Sequence, residues 1–383
     1  MKKFLIFLPV TVGDADDEWM QCLKQIKNFT LDGYQLIKMN VFTDLPDYES
    51  FIDICHKINK TVFNVFGDKC PSFDVTAHPP QRPWKIAIES CYQNNDYSEI
   101  SYKCMKSIPY VVRESDIGKE LWAGGMGTGM FPDDTRAAAE EAFNQMRLIL
   151  EAENMSFDHI VRQWNFIGNI LEIKNGIQNY QLFNRVRSSN YQHYRYIKSF
   201  PAATGIGMKH GGVHVDFYAV KSESTTKIIA VNNPDQIKPY AYGQKVLVGA
   251  PGDDGKTKQV PQFERAVLLN NKSFSELFVS GTASIKGQDT IGISSVEKQT
   301  MVTIENVNTL CDLKRIGGMI GSNGINTGRF VFARVYVKNQ DDFHSVKSIC
   351  NNHFKQVPVI YIQSDICRDN LLVEMEAEFM VNS

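Results

Sequence analysis

At 383 residues the chain exceeds one ordinary domain, and length alone suggests about two or three. With 43% hydrophobic and 22% charged residues it has ample material for a packed core. A formal net charge of -2 excludes the basic bias of nucleic-acid and membrane-surface binders, so arginines that matter must act locally.

The start, MKKFLIFLPV, is apolar but short, and it runs into Gly13-Asp14-Ala15-Asp16-Asp17 without a small-residue cleavage site. It is expected to be a first β-strand rather than an export signal. No apolar run elsewhere is long enough to cross a bilayer. Eight cysteines lie scattered, without CxxC pairs, and read as buried thiols of a reduced, cytoplasmic protein.

Taken in order, the chain repeats one plan three times. A first helix carries apolar residues at i, i+4 and i+7: Trp19, Leu23, Ile26, then Ala139, Phe143, Met146, then Thr300, Ile304, Val307. Such a stripe buries one helix face on a sheet. A strand follows each time, from Tyr34, Ile160 and Arg329. The second helices align as Asp47-Tyr48, Phe51, Cys55; Asn179-Tyr180, Phe183, Arg187; and Asp342-Phe343, Val346, Cys350. Asp or Asn suits the N-cap, and the next three share a face. Pro71, Pro201 and Pro358 then open a strand, and a closing strand ends each copy. The third copy is the clearest, from LFVSGTASI at Leu277 to LLVEMEAEF at Leu371.

The order is therefore β-α-β-α-β-β in copies at about 1–95, 108–222 and 262–383, an α+β fold of three tandem modules. Domain boundaries are placed at 1–97, 98–235 and 236–383. Asn232 to Pro261 reads as a turn-rich connector, and Gly317 to Gly328 as a glycine-rich surface loop in a position suited to a lid.

This plan, with Ser280-Gly281 in a first turn and VEMEA at Val373–Ala377, resembles the RidA/YjgF family, which forms trimers of one such module with ligand sites at the seams. The resemblance implies a single-chain, monomeric pseudotrimer. RQWNFIGNI, YQLFNRVR, PAATGIG, NNPDQIKPYAYG, FERA, SGTASIKG, QTMVTIENV and SDICRDNLLVEMEAE, spanning Arg162 to Glu378, more specifically resemble the chorismatases. Departures occur after SGTASI, where Gln288 to Ser295 replaces a histidine-containing segment, and after Tyr242-Gly243, where Gln244 stands in place of proline.

RidA-type imine deaminases hold a carboxylate with an arginine two residues after the strand-opening proline. Phe73, Ala203 and Ile360 stand there, which disfavours imine deamination. The family's strand acid corresponds to Ala87, His214 and Glu374, so the resemblance implies one site, with Glu374 as general acid. Alternation puts Glu376 on the same face, and Val373 and Met375 opposite. Substrate contacts are expected from Phe183, from Arg187, inward-facing beside it and Tyr180, and from Arg265 and Glu376. Ser280, Gly281 and Thr282 would form the pocket floor and Tyr240 and Tyr242 an aromatic wall; Arg185 and Lys338 are weaker candidates. His210 and His214 lack a supporting ligand set, so no metal is expected; Gly125 to Gly129 lacks the Lys-Ser/Thr of a phosphate loop.

The activity implied is cofactor-free cleavage of the enolpyruvyl ether of chorismate or a related small anionic metabolite. It would release pyruvate and a dihydrodiol acid or hydroxybenzoate. The alternatives are a non-catalytic carboxylate-binding or regulatory module and, less in keeping with the charge, an endoribonuclease. Neither nucleic acid nor membrane is expected as a partner.

Overall fold

A computed structural model of the chain describes residues 2–96, 98–223, 226–251, 257–271, 275–321 and 327–382. The first module comprises β1 (Lys2–Phe7), α1 (Ala15–Asn28), β2 (Tyr34–Thr43), α2 (Tyr48–Phe66), β3 (Ser72–Thr76) and β4 (Ile86–Asn94). A hairpin, β5 (Glu99–Met105) and β6 (Ile108–Ser115), leads into the second. That module has β7 (Gly118–Met126), α3 (Thr135–Ala152), β8 (Ile160–Gly168), α4 (Asn179–Tyr194), β9 (Ala202–Met208) and β10 (Val213–Ser222). Next come β11 (Lys227–Val231) and β12 (Ala266–Asn270). The third module follows: β13 (Ser275–Ala283), α5 (Val296–Leu310), α6 (Leu313–Ile320), β14 (Thr327–Val337), α7 (Phe343–His353), β15 (Val359–Gln363) and β16 (Val373–Asn382).

The three sheets share one topology. Their orders are β1-β4-β2-β3, then β7-β10-β8-β9, then β13-β16-β14-β15. In each, the closing strand lies antiparallel between the first and second, and the second pairs in parallel with the third. The mixed α+β architecture and the threefold repeat thus match the sequence reading. Lys2–Phe7 is a strand of the first sheet, and no helix among the described residues is long and apolar enough to cross a membrane.

Periodicity worked because the striped faces are the buried ones. Trp19, Leu23, Ile26, Ala139, Phe143, Met146, Thr300, Ile304 and Val307 are all buried, each large apolar side chain contributing roughly 1.5–3 kcal/mol by leaving water. Capping was less regular. Asp47 accepts from the Ser50 N–H, whereas Asn179 is the first helical residue and its amide donates to the Gly168 and Asn169 carbonyls. Asp342 accepts instead from the Asn339 side chain.

The sheets also extend beyond the repeat. The β5–β6 hairpin adds to the second sheet beside β7, and β11–β12 adds to the third beside β13. Lys227–Val231 therefore lies in the third sheet, on the other side of the boundary placed at 235; short edge strands leave little periodic signal. Part of the expected lid, Gly317 to Gly328, is helical in α6; residues 322–326 of it, and 252–256 of the connector, lie outside the described residues. Cys104 is exposed and Cys367 half-buried, the other six cysteines being buried, and all eight are free thiols.

The modules close on one another through buried ion pairs. Lys38 on β2 meets Asp216 on β10 at 2.9 Å, Arg162 on β8 meets Glu376 on β16 at 2.8 Å, and Arg334 on β14 meets Glu89 on β4. Each module thus presents a second-strand cation to the closing-strand acid of the next, in a cycle.

Candidate functional site

The face of β16 opposite the third module's core carries Glu374, Glu376 and Glu378, while Val373, Met375 and Ala377 pack under the helices. Neighbouring acids on this face meet different surroundings. Glu376 accepts from Arg162 (2.8 Å), the Trp164 indole (2.8 Å), Thr204 (2.5 Å) and Tyr336 (3.1 Å), with Arg334 at 3.0 Å. Although burial alone would raise it, the two guanidiniums and these hydrogen bonds hold its carboxyl below the usual range.

Glu374 is equally buried, at 4% exposure, but its carboxyl has no hydrogen bond or ion pair within the protein among the described residues. Desolvation first, then the Glu376 charge, push it up to about 8, against the pull of Arg265 and Arg162. A buried acid with this value is protonated at neutral pH and able to give its proton away.

Its setting is a cavity between the second and third modules, about 650 Å³ counting the space at its mouth. Gly281 makes room for the acid: a Cβ there would stand 2.1 Å from Glu374 Oε1. Tyr180 from α4 and Ala203 from β9 line the opposite side. Tyr242 comes from the connector and Arg265 from the residue just before β12. Arg265, 3% exposed, donates to the Ile237 carbonyl (2.9 Å) and the Tyr242 hydroxyl (2.6 Å), and its Nε has no partner among the described residues. Arg368 lies over the Tyr242 ring at 5.2 Å. Cys367 completes this wall, its thiol pushed up to about 12 chiefly by burial, so it stands there neutral. The cavity thus brings together one neutral acid, one incompletely satisfied guanidinium and aromatic walls.

Of the expected residues, Glu374, Arg265, Gly281 and Tyr242 meet at this cavity. Ser280 and Thr282 do not, because strand alternation presents Gly281 and Ala283 to it instead. The Ser280 hydroxyl donates to the Glu264 carbonyl and accepts from the Ala203 N–H, and Thr282 donates to the Ser280 carbonyl. Phe183 belongs to the second module's core, 6.0 Å from the Phe143 ring. Arg187, 1% exposed, lies behind the wall: it donates to Asn184 Oδ1 at 2.6 Å, covers the Phe183 ring, and meets no carboxylate at ion-pair distance among the described residues. Glu376 is committed to its five donors.

The weaker candidates and Tyr240 are also engaged elsewhere. Arg185 donates to the Pro251 carbonyl, Lys338 pairs with exposed Asp369, and Tyr240 bonds Glu264. His214 bonds Asp74, and His210 the Leu45 carbonyl. Tyr180, Cys367 and Arg368, and the clasp of Arg162, Trp164, Thr204, Arg334 and Tyr336, were not singled out from sequence. Arg162 and Trp164 share a strand face within RQWNF, which was the available signal.

Residues 121–219 match the family described as "Chorismatase FkbO/Hyg5-like, N-terminal". A 3-hydroxybenzoate synthase of Streptomyces hygroscopicus is 30% identical over 264 residues, covering 66% of this chain and 71% of that protein. The chain belongs to the chorismatase family. Another chorismatase, from Streptomyces rapamycinicus, is 27% identical over 256 residues, covering 65% of this chain and 72% of its own length. A chorismatase crystal structure matches with a TM-score of 0.66 at 19% identity, covering 100% of this chain and 98% of the other, and so shares the fold. Within this chorismatase fold the cavity beside Glu374 draws on both the second and third modules.

Proposed function

We propose that this chain cleaves the enolpyruvyl ether of chorismate or a close relative, acting as a monomer without a cofactor. The single observation that carries the reading is Glu374: a buried, unpaired carboxyl held up to about 8 beside an arginine with a free Nε. Its relatives' activities, named as chorismatase and 3-hydroxybenzoate synthase, accord with that chemistry.

An enol ether is stable until its terminal methylene carbon is protonated. Glu374 supplies that proton, leaving a carboxylate and an oxocarbenium at the former enol carbon. Water adds there, loses a proton and gives a hemiketal that collapses to pyruvate and the ring alcohol; an internal nucleophile gives the aromatic product instead. The carboxylate that forms beside the cation stabilises it and takes back a proton afterwards. Arg265 binds a substrate carboxylate through its free Nε, and Tyr242 orients that guanidinium. Arg187 adds positive potential behind Tyr180. Ala203, where a deaminase of this fold carries arginine, leaves the cavity without that anchor and supports ether cleavage over imine deamination.

The decisive experiment incubates the monomeric fraction from size exclusion with chorismate, measures pyruvate and identifies the ring product by mass spectrometry. Stoichiometric release is expected; ligand-induced thermal stabilisation without pyruvate would instead indicate a binding module. Arg265→Leu should raise KM strongly, by the equivalent of roughly 2–5 kcal/mol for a desolvated charge contact, with kcat less affected. An unchanged KM would remove Arg265 from substrate binding.

A further inference from the structure

The seam between the first and second modules contains a cavity of its own, about 910 Å³ counting its mouth. It repeats the plan of the Glu374 site with different chemistry. Phe73 stands two residues after Pro71, as Ala203 stands after Pro201, and lines this cavity as Ala203 lines the other. His214, at the closing-strand position matching Glu374, bonds through Nδ1 to Asp74 Oδ1 at 3.1 Å.

The two seams differ in what they leave unsatisfied. At the Glu374 site the orphan is a donor, Arg265 Nε; here it is an acceptor, Asp74 Oδ2. Asp74 is 1% exposed and lines the cavity. The nearby buried cation, Lys38, is engaged by Asp216 at 2.9 Å, which leaves Asp74 with His214 and a long contact from Thr128 at 3.3 Å. Desolvation raises the Asp74 carboxyl against the pull of His214, and a ligand ammonium at Oδ2 favours its ionised form and satisfies that oxygen. The remaining walls include Ile52, Phe73, Val75, Ile108 and Met130, which suit an apolar body. His56 and Lys106 stand exposed at the rim, where water screens them.

We propose that this seam is a second ligand site, taking a small primary amine with an apolar body whose ammonium bonds Asp74 Oδ2. It goes beyond the ether-cleaving reading and does not depend on it.

Benzylamine, protonated at neutral pH, is a suitable probe, titrated by isothermal calorimetry or ligand-observed NMR. Saturable binding below about 10 mM is expected for the wild type. Asp74→Asn should weaken it at least tenfold. Asn59→Trp, at an exposed α2 position on the mouth, should block entry without touching Asp74 and settles the matter if Asp74→Asn fails to fold. Glu374→Gln should bind benzylamine as the wild type does. Absence of saturable binding, retention of it in either mouth or floor variant, or equal binding of neutral benzyl alcohol overturns the proposal.

Discussion

Glu374→Gln should reduce turnover by roughly 10²–10⁴-fold, the usual range for a positioned proton donor, with KM little changed. The substitution keeps shape and hydrogen-bonding capacity but removes the transferable proton. The wild-type rate should also fall as pH rises through about 8, where Glu374 ionises, and the variant should lose that limb. Stability offers an independent check. The folded value lies above the ordinary 4.5, so the native state holds a proton the unfolded chain has lost. Stability therefore falls with rising pH between these values, and above pH 8 the variant should melt higher than the wild type. Full activity in the variant, with an unaltered pH profile, would remove Glu374 from the mechanism.

Glu376→Gln should behave in the opposite way, losing stability rather than a proton. Among the described residues Glu376 is the sole carboxylate at ion-pair distance from Arg162, and it also serves Arg334. Breaking such a buried pair by removing one partner costs about 3–5 kcal/mol, readable in the urea midpoint. Because its folded carboxyl lies below the usual range, its stabilisation is present above the unfolded value and lost as pH falls through the folded one. The variant should accordingly show a weaker loss of stability on acidification. Glu376→Met with Arg162→Met, which removes both charges, should recover part of the deficit. A Glu376→Gln protein as stable as wild type would refute the clasp. Glu376 is thus unsuited to serve as a neutral control for Glu374, although the two lie on one strand face.

The contrast between these two acids separates what sequence and tertiary structure each decide. Local periodicity set the module plan: stripes such as Trp19, Leu23, Ile26 and closing strands such as Val373–Asn382 obey 3.6 and 2.0 residue repeats that a single chain segment displays by itself. The same period placed Glu374 and Glu376 together, and motif resemblance directed attention to Glu374, Arg265, Gly281 and Tyr242. Periodicity could not show which acid would be clasped, because the clasping donors come from Arg162, Trp164, Thr204 and Arg334, up to 214 residues away. Nor could it turn Ser280 and Thr282 from the cavity, seat Phe183 in a core, or set Arg187 behind the wall; helix rotation and sheet register against a neighbouring module decide those. The sequence by itself determined three β-α-β-α-β-β modules, since those depend on near neighbours in the chain, while the family resemblance pointed to Glu374. Only the tertiary structure decided that Glu374 stays unpaired while Glu376 is held ionised, because burial and charge at each carboxyl depend on side chains from other modules.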